Sequence, residues 1–194
     1  MTKQEVRNNI RYNENLVNQY LNTLDRLRRR VNDLNSQISQ YNHDIGQLAS
    51  RINGLKEQIN ELNQLKSKYQ KLQNDFASRQ TKRINRFNLN FSKKLNFKFV
   101  LSYTNGMSSL LSGNEYKHAF DGLCSAINTI SYKIKAIQRE IDDLNRNINS
   151  KNRQIDSLRR EINSCQSQIN KANSDLSYRR QRITYWKNQL RYAT

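Results

Sequence analysis

Two histidines, two cysteines and sixteen carboxylates are the side chains of this 194-residue sequence that could do acid–base, nucleophilic or metal chemistry, and their spacing gathers none of them. Catalysis needs titratable groups held together in a pocket. His43, five residues beyond Ile38, falls on the outer face of a helix, and His118 borders the start of another; both read as solvated or structural. Cys124 and Cys165 share one helical stretch, roughly 60 Å apart at about 1.5 Å per residue, too far to join within a straight helix. Cys165 reads as a small core residue and Cys124 as a half-exposed thiol. No dinucleotide, phosphate-loop, H-E-x-x-H or C-x-x-C pattern occurs, and no metal-ligand spacing. The expectation is a protein that is not an enzyme, with no catalytic residues, cofactor or metal.

Recognition chemistry is better supplied. After Asp175 the tail carries Arg179, Arg180, Arg182, Lys187 and Arg191 without an acid, interleaved with Tyr178, Tyr185, Trp186 and Tyr192. A second basic and aromatic segment surrounds Lys82, Arg83, Arg86, Lys93, Lys94 and Lys98. Cations among stackable rings can grip phosphates and unpaired bases, or lie on an anionic membrane surface. The plain account is a solvated basic face with Trp186 packed as a seam residue. As a contact surface, the tail suits an acidic protein better than nucleic acid.

Composition narrows the scaffold that must carry these residues. With no proline, five glycines and 35% hydrophobic residues, a Rossmann domain, a phosphate-loop enzyme and a turn-rich β-sandwich are all disfavoured. The net charge of +18 brings acidic partners to the front. No apolar stretch of about 7 to 15 residues follows a basic start, so no secretory signal is expected. No window approaches about 18 uninterrupted apolar residues, so no transmembrane segment is expected either.

Hydrophobic periodicity supplies the elements. From Val17 the apolar residues alternate in steps of three and four: Val17, Tyr20, Leu24, Leu27, Val31, Leu34, Ile38, Tyr41, Ile45, Leu48, Ile52, Leu55, Ile59 and Leu62. This is a heptad seam. Beyond Leu62 the strict frame would put Lys66 and Gln73 inside, whereas Leu65, Tyr69, Leu72 and Phe76 read as a displaced seam after a stammer. A second run comprises Phe120, Ile127, Ile134, Ile141, Ile148, Ile155, Ile162, Ile169, Leu176, Ile183 and Leu190. Its companion positions become smaller or basic towards the C-terminus, with Lys151, Cys165, Ala172 and Arg179 among them.

Residues 81–115 lose the frame. Ile84, Phe87, Phe91 and Leu95 fit a continuing helix, but Phe87, Leu89 and Phe91, then Leu95, Phe97, Phe99 and Leu101, alternate with period two, leaving a β-hairpin over 84–103 open. Thr104, Asn105, Gly106, Ser112, Gly113 and Asn114 carry turn residues. The expected fold is all-α: one elongated antiparallel two-helix coiled-coil hairpin, with helix 1 about 4–80, an irregular, aromatic-rich and basic tip about 81–115, and helix 2 about 116–192. Centring the bend near residue 98 sets Val17 beside Arg179, Leu62 beside Ile134 and Lys151 near Gly46. Polar Asn13, Lys151 and Arg179 in the seam would fix the register. The same heptads also permit a homodimer of extended rods.

The order of basic helix, interrupted middle and second long helix, with Leu111-Ser112-Gly113 followed by Ala119-Phe120-Asp121, resembles the helical-hairpin proteins of type VII secretion. It looks in particular like the YwqI-like coiled-coil family encoded beside LXG toxins in Gram-positive bacteria, akin in architecture to the Esx, or W-x-G, proteins. In those a W-x-G turn precedes a small residue, an aromatic and an acid that open the second helix. Here Leu111 stands where the tryptophan would, with Gly113, Ala119, Phe120 and Asp121 at the other places. The Y-x-x-x-D/E export signal is absent, since Arg182 lies four residues after Tyr178 and Gln189 four after Tyr185. The resemblance implies a non-enzymatic partner or targeting factor that binds the N-terminal helices of an LXG-type toxin. It implies a cytoplasmic protein, or one exported through a type VII system without a Sec signal. A nucleic-acid-binding coiled coil and a phage or cell-structural rod are the alternatives.

Overall fold

Long heptad runs without a proline leave the backbone nothing to interrupt a helix. The computed structural model describes residues 2–91, 102, 103, 105, 106 and 113–192. They form two helices, α1 (Lys3–Phe91) and α2 (Asn114–Leu190), and the chain is an all-α helical hairpin. A capping box opens α1: Thr2 Oγ1 accepts from the Glu5 N–H at 3.3 Å, and Glu5 Oε2 accepts from the Thr2 N–H at 2.9 Å. At the far end of α2, Arg191 and Tyr192 donate their N–H groups to the carbonyls of Asn188 and Gln189, tightening the last turn.

The chain divides into two compact units, residues 1–48 with 146–194 and residues 49–145. In the first, Leu24 and Leu27 of α1 pack with Cys165, Ile169, Ala172 and Leu176 of α2, and Val17, Tyr20 and Val31 close the margins. Small Cys165 and Ala172 alternate with large Ile169 and Leu176, which lets the facing side chains interdigitate. Val6 and Leu34, both with no exposed surface, and Ile155 are also buried in this unit, outside that cluster. In the second unit Ile52 and Leu55 are buried on α1, and Ile130, Ile137 and Ile141 on α2. Each such aliphatic side chain contributes about 1.5–3 kcal/mol when taken from water.

Residues 84–91 are helical, so within them the β-hairpin alternative is overturned and α1 runs to Phe91 rather than stopping near 80. Nothing in 81–91 breaks a helix, and the spacing of Ile84, Phe87 and Phe91 continues it. Asn105 and Gly106, read as turn residues, are also helical, whereas Gly113 forms a bend before α2. Thr104, Leu111, Ser112 and most of the tip lie outside the described residues.

The expected stammer is also overturned. Leu65 and Leu72 are 41% and 55% exposed, while Lys66, Tyr69, Gln73 and Phe76 are half-buried, so α1 keeps the strict frame. Tyr69 and Phe76 belong to both frames, so the exposure of Leu65 and Leu72 decides between them; Phe76 stacks on Tyr116 of α2, centroids 4.9 Å apart and planes 8° from parallel. Gln73 lies inside because its amide donates to Cys124 Sγ across the seam at 2.8 Å. The stem of Lys66 can lie along apolar surface while its ammonium reaches water.

The frame is testable by truncation. Leu34→Ala should cost about 2–5 kcal/mol in denaturant unfolding, whereas Leu72→Ala should stay within about 0.5 kcal/mol. Comparable losses at the two sites would restore the displaced seam.

Candidate interaction surfaces

Polar seam residues set the register. Arg179 Nη1 donates to Asn13 Oδ1 at 3.4 Å, and Asn13, only 3% exposed, donates its own amide to the Asn9 carbonyl at 2.7 Å. Lys151 Nζ donates to Asp44 Oδ2 at 2.7 Å and sits 5.1 Å from the centre of the Tyr41 ring. Arg30 pairs with Glu161 in the same unit, and Arg51 with Glu140 in the other. The pairs fall on either side of the register expected: Arg179 reaches Asn13, one turn before Val17, and Lys151 meets Asp44, two residues before Gly46. Gly46 is exposed, with open space where a Cβ would stand, so Lys151 makes no use of its missing side chain.

Among the seam residues named from the sequence, Leu24, Ile52, Ile141, Ile155 and Ile169 are buried. Val17, Val31, Ile38, Ile45, Ile59, Phe120, Ile127, Ile134, Ile148, Ile162 and Ile183 are half-buried, as two helices cover only part of each side chain. In the turn motif, Ala119 and Asp121 are exposed on the first turns of α2, and Phe120 faces Tyr116 with centroids 6.0 Å apart.

The basic tail of α2 separates into residues that are engaged and residues that are open. Arg182 lies over two rings, Tyr185 at 4.9 Å and Trp186 at 5.1 Å, and those rings meet edge to face at 5.0 Å. Arg179 is held by Asn13 and lies 5.2 Å from the Tyr178 ring. Lys187 reaches Glu14 at 3.9 Å. Arg180 and Arg191 are exposed, with no ion-pair partner among the described residues. Tyr178, Tyr185 and Tyr192, each seven residues from the next, are 53%, 46% and 82% exposed and share one outer face of the helix.

The histidines and cysteines stay apart. His43 Nε2 contacts only Gln47 one turn on, Cys165 is buried and Cys124 accepts from Gln73. Among the described residues no three His, Cys, Asp or Glu side chains are placed to hold a metal, and no helix is long and apolar enough to cross a membrane. An open depression of about 450 Å³ lies along one face of α1, lined by Asn22, Asp25, Arg26, Arg29, Arg30 and Asp33, whose charges balance nearly in place. No family model matches the chain, and no curated protein or solved structure matches it.

Sequence reading located the tail, but it missed the anion that receives Lys151 and the aromatic stack between Phe76 and Tyr116. Both were within reach of the heptad frame, since Asp44 directly precedes seam residue Ile45 and Phe76 and Tyr116 occupy equivalent seam places.

Hydrogen bonds from Lys151, and then from Gln40, hold the Asp44 carboxyl below its usual range. A depressed carboxylate contributes stability above its unfolded-state value and loses it as the pH falls through the folded one. Asp44→Asn should therefore be less stable than the parent near neutrality, with the gap closing below about pH 4. Denaturant midpoints across this range check it; a gap constant with pH would exclude an ionic role for Asp44.

Proposed function

We propose that the protein is a non-enzymatic helical interaction protein whose α2 tail receives an acidic helical partner. In the fuller form of this reading, the partner is the N-terminal helical domain of an LXG-type toxin in type VII secretion. The observation that carries it is the tail itself: three exposed tyrosines at seven-residue intervals beside Arg180, Arg182 and Arg191, with no carboxylate after Asp175. Seven residues of helix advance about 10.5 Å, the repeat that a second helix presents and single-stranded bases do not. Exposed tyrosine offers broad contact area with a polar tip at low entropic cost, and arginine steers an acidic surface to it. The resemblance to the YwqI-like proteins in helix order and turn supports the secretion context.

The test is co-expression with the helical N-terminal domain of an LXG toxin, followed by size exclusion with light scattering. A stoichiometric complex that Arg182→Ala with Tyr185→Ala weakens about tenfold is expected. If no complex forms, and the chain instead binds single-stranded oligonucleotide with a steep salt dependence, the nucleic-acid reading replaces it.

A further inference from the structure

Along most of α1, the residue just before each inner seam position is polar: Thr23, Arg30, Gln37, Asp44, Arg51 and Gln58. On α2 the equivalent residues include Lys133, Glu140, Asn147, Gln154 and Glu161. These places face one another in antiparallel helices, as Arg30 with Glu161 and Arg51 with Glu140 show. Two heptads on from Arg51 and Glu140, inside the second unit, both helices change character together. The same register sets Leu65 opposite Ala126, and one heptad further sets Leu72 opposite Ala119.

A strict seam of two residues per heptad serves one neighbouring helix, whereas a third apolar place per heptad is the pattern of a helix that touches two. Leu65 and Leu72 supply that third place, yet they remain 41% and 55% exposed. Ala119 is exposed and Ala126 half-buried, so α2 offers a low surface beside them on which another backbone can approach. The inner positions beneath, Lys66 and Gln73, are polar, so this stretch gains least from its own seam. Exposed Lys68, Arg79, Lys82 and Lys133 border the same edge, and none has an ion-pair partner among the described residues. Glu61 and Asp75 are exposed on that side of α1 as well, leaving the cations in excess.

We infer that this edge of the second unit is a docking site for a third helix, supplied by an acidic amphipathic partner. That helix would set an apolar ridge against Leu65 and Leu72 and glutamates or aspartates against the flanking lysines. A second copy of this chain is the poorer occupant, because it would bring a like-charged rim against this one. The inference rests on the reading of the chain as a helical interaction protein, but needs neither the α2 tail nor a toxin.

The test uses the full chain and a fluorescein-labelled synthetic helix of about four heptads, with a leucine ridge and glutamate flanks. Anisotropy should show saturable binding, which Leu65→Gln with Leu72→Gln weakens about tenfold or more. Tyr178→Ala with Tyr185→Ala should leave binding unchanged. The lysine-flanked version of the helix should not bind. Because both leucines are exposed, the double glutamine variant should keep its helicity and melting temperature; a collapse of either would mean that they are structural and would overturn the proposal. So would binding indifferent to these substitutions, loss of binding only in the tyrosine variant, or a dimer in light scattering that the leucine variant converts to monomer. A toxin-domain complex that survives the leucine substitutions would remove this edge while leaving the proposed function standing. Peptide binding at the edge without any toxin complex would do the reverse.

Discussion

A helix with 3.6 residues per turn drifts by about 20° in each heptad against a seven-residue apolar repeat. Everything else in this protein depends on the two helices meeting that mismatch together. Isoleucine recurs at the inner places of α2 from Ile127 to Ile169, and leucine dominates the companion places of α1 at Leu27, Leu34, Leu48 and Leu55. As long as each helix turns its stripe towards the other, the exposed faces are free to vary. Their composition records that freedom: asparagine, glutamine and lysine are abundant where neither helix covers the other.

A seam made only of aliphatic residues would tolerate slippage by a heptad, because one layer resembles the next. The polar layers remove that degeneracy. Asn13 with Arg179, and Lys151 with Asp44 under the ring of Tyr41, are hydrogen-bonded in one alignment and would lose their partners in any other. Burying these groups costs stability relative to a well-packed aliphatic layer, and the return is a single alignment. The Arg30–Glu161 and Arg51–Glu140 pairs are more exposed, so they add direction more than strength.

The helices, their antiparallel packing and most seam residues were legible because each rests on a repeat summed over many turns. The exact partners of the long seam side chains were less legible. They depend on how far a side chain reaches along the seam, as Arg179 reaches Asn13, four residues before Val17. The frame beyond Leu62 misled for a different reason: leucine is more apolar than glutamine, yet Gln73 is held inside by Cys124, distant in sequence, while Leu65 and Leu72 stay exposed. In the α2 tail the basic and aromatic residues could be read directly. Which arginines were already engaged could not, since that turned on Asn13 and Glu14 from the other helix.

Each unit holds a single thiol, Cys165 among Leu24, Leu27 and Ile169 in one, and Cys124 beside Gln73 in the other. The chain thus carries two chemically identical clocks. Alkylation of buried Cys165 waits for the helices around it to part, while half-buried Cys124 needs less, so the two rates report separately on the aliphatic seam and on the seam that contains glutamine. A ligand that clamps one unit would slow one clock and leave the other running.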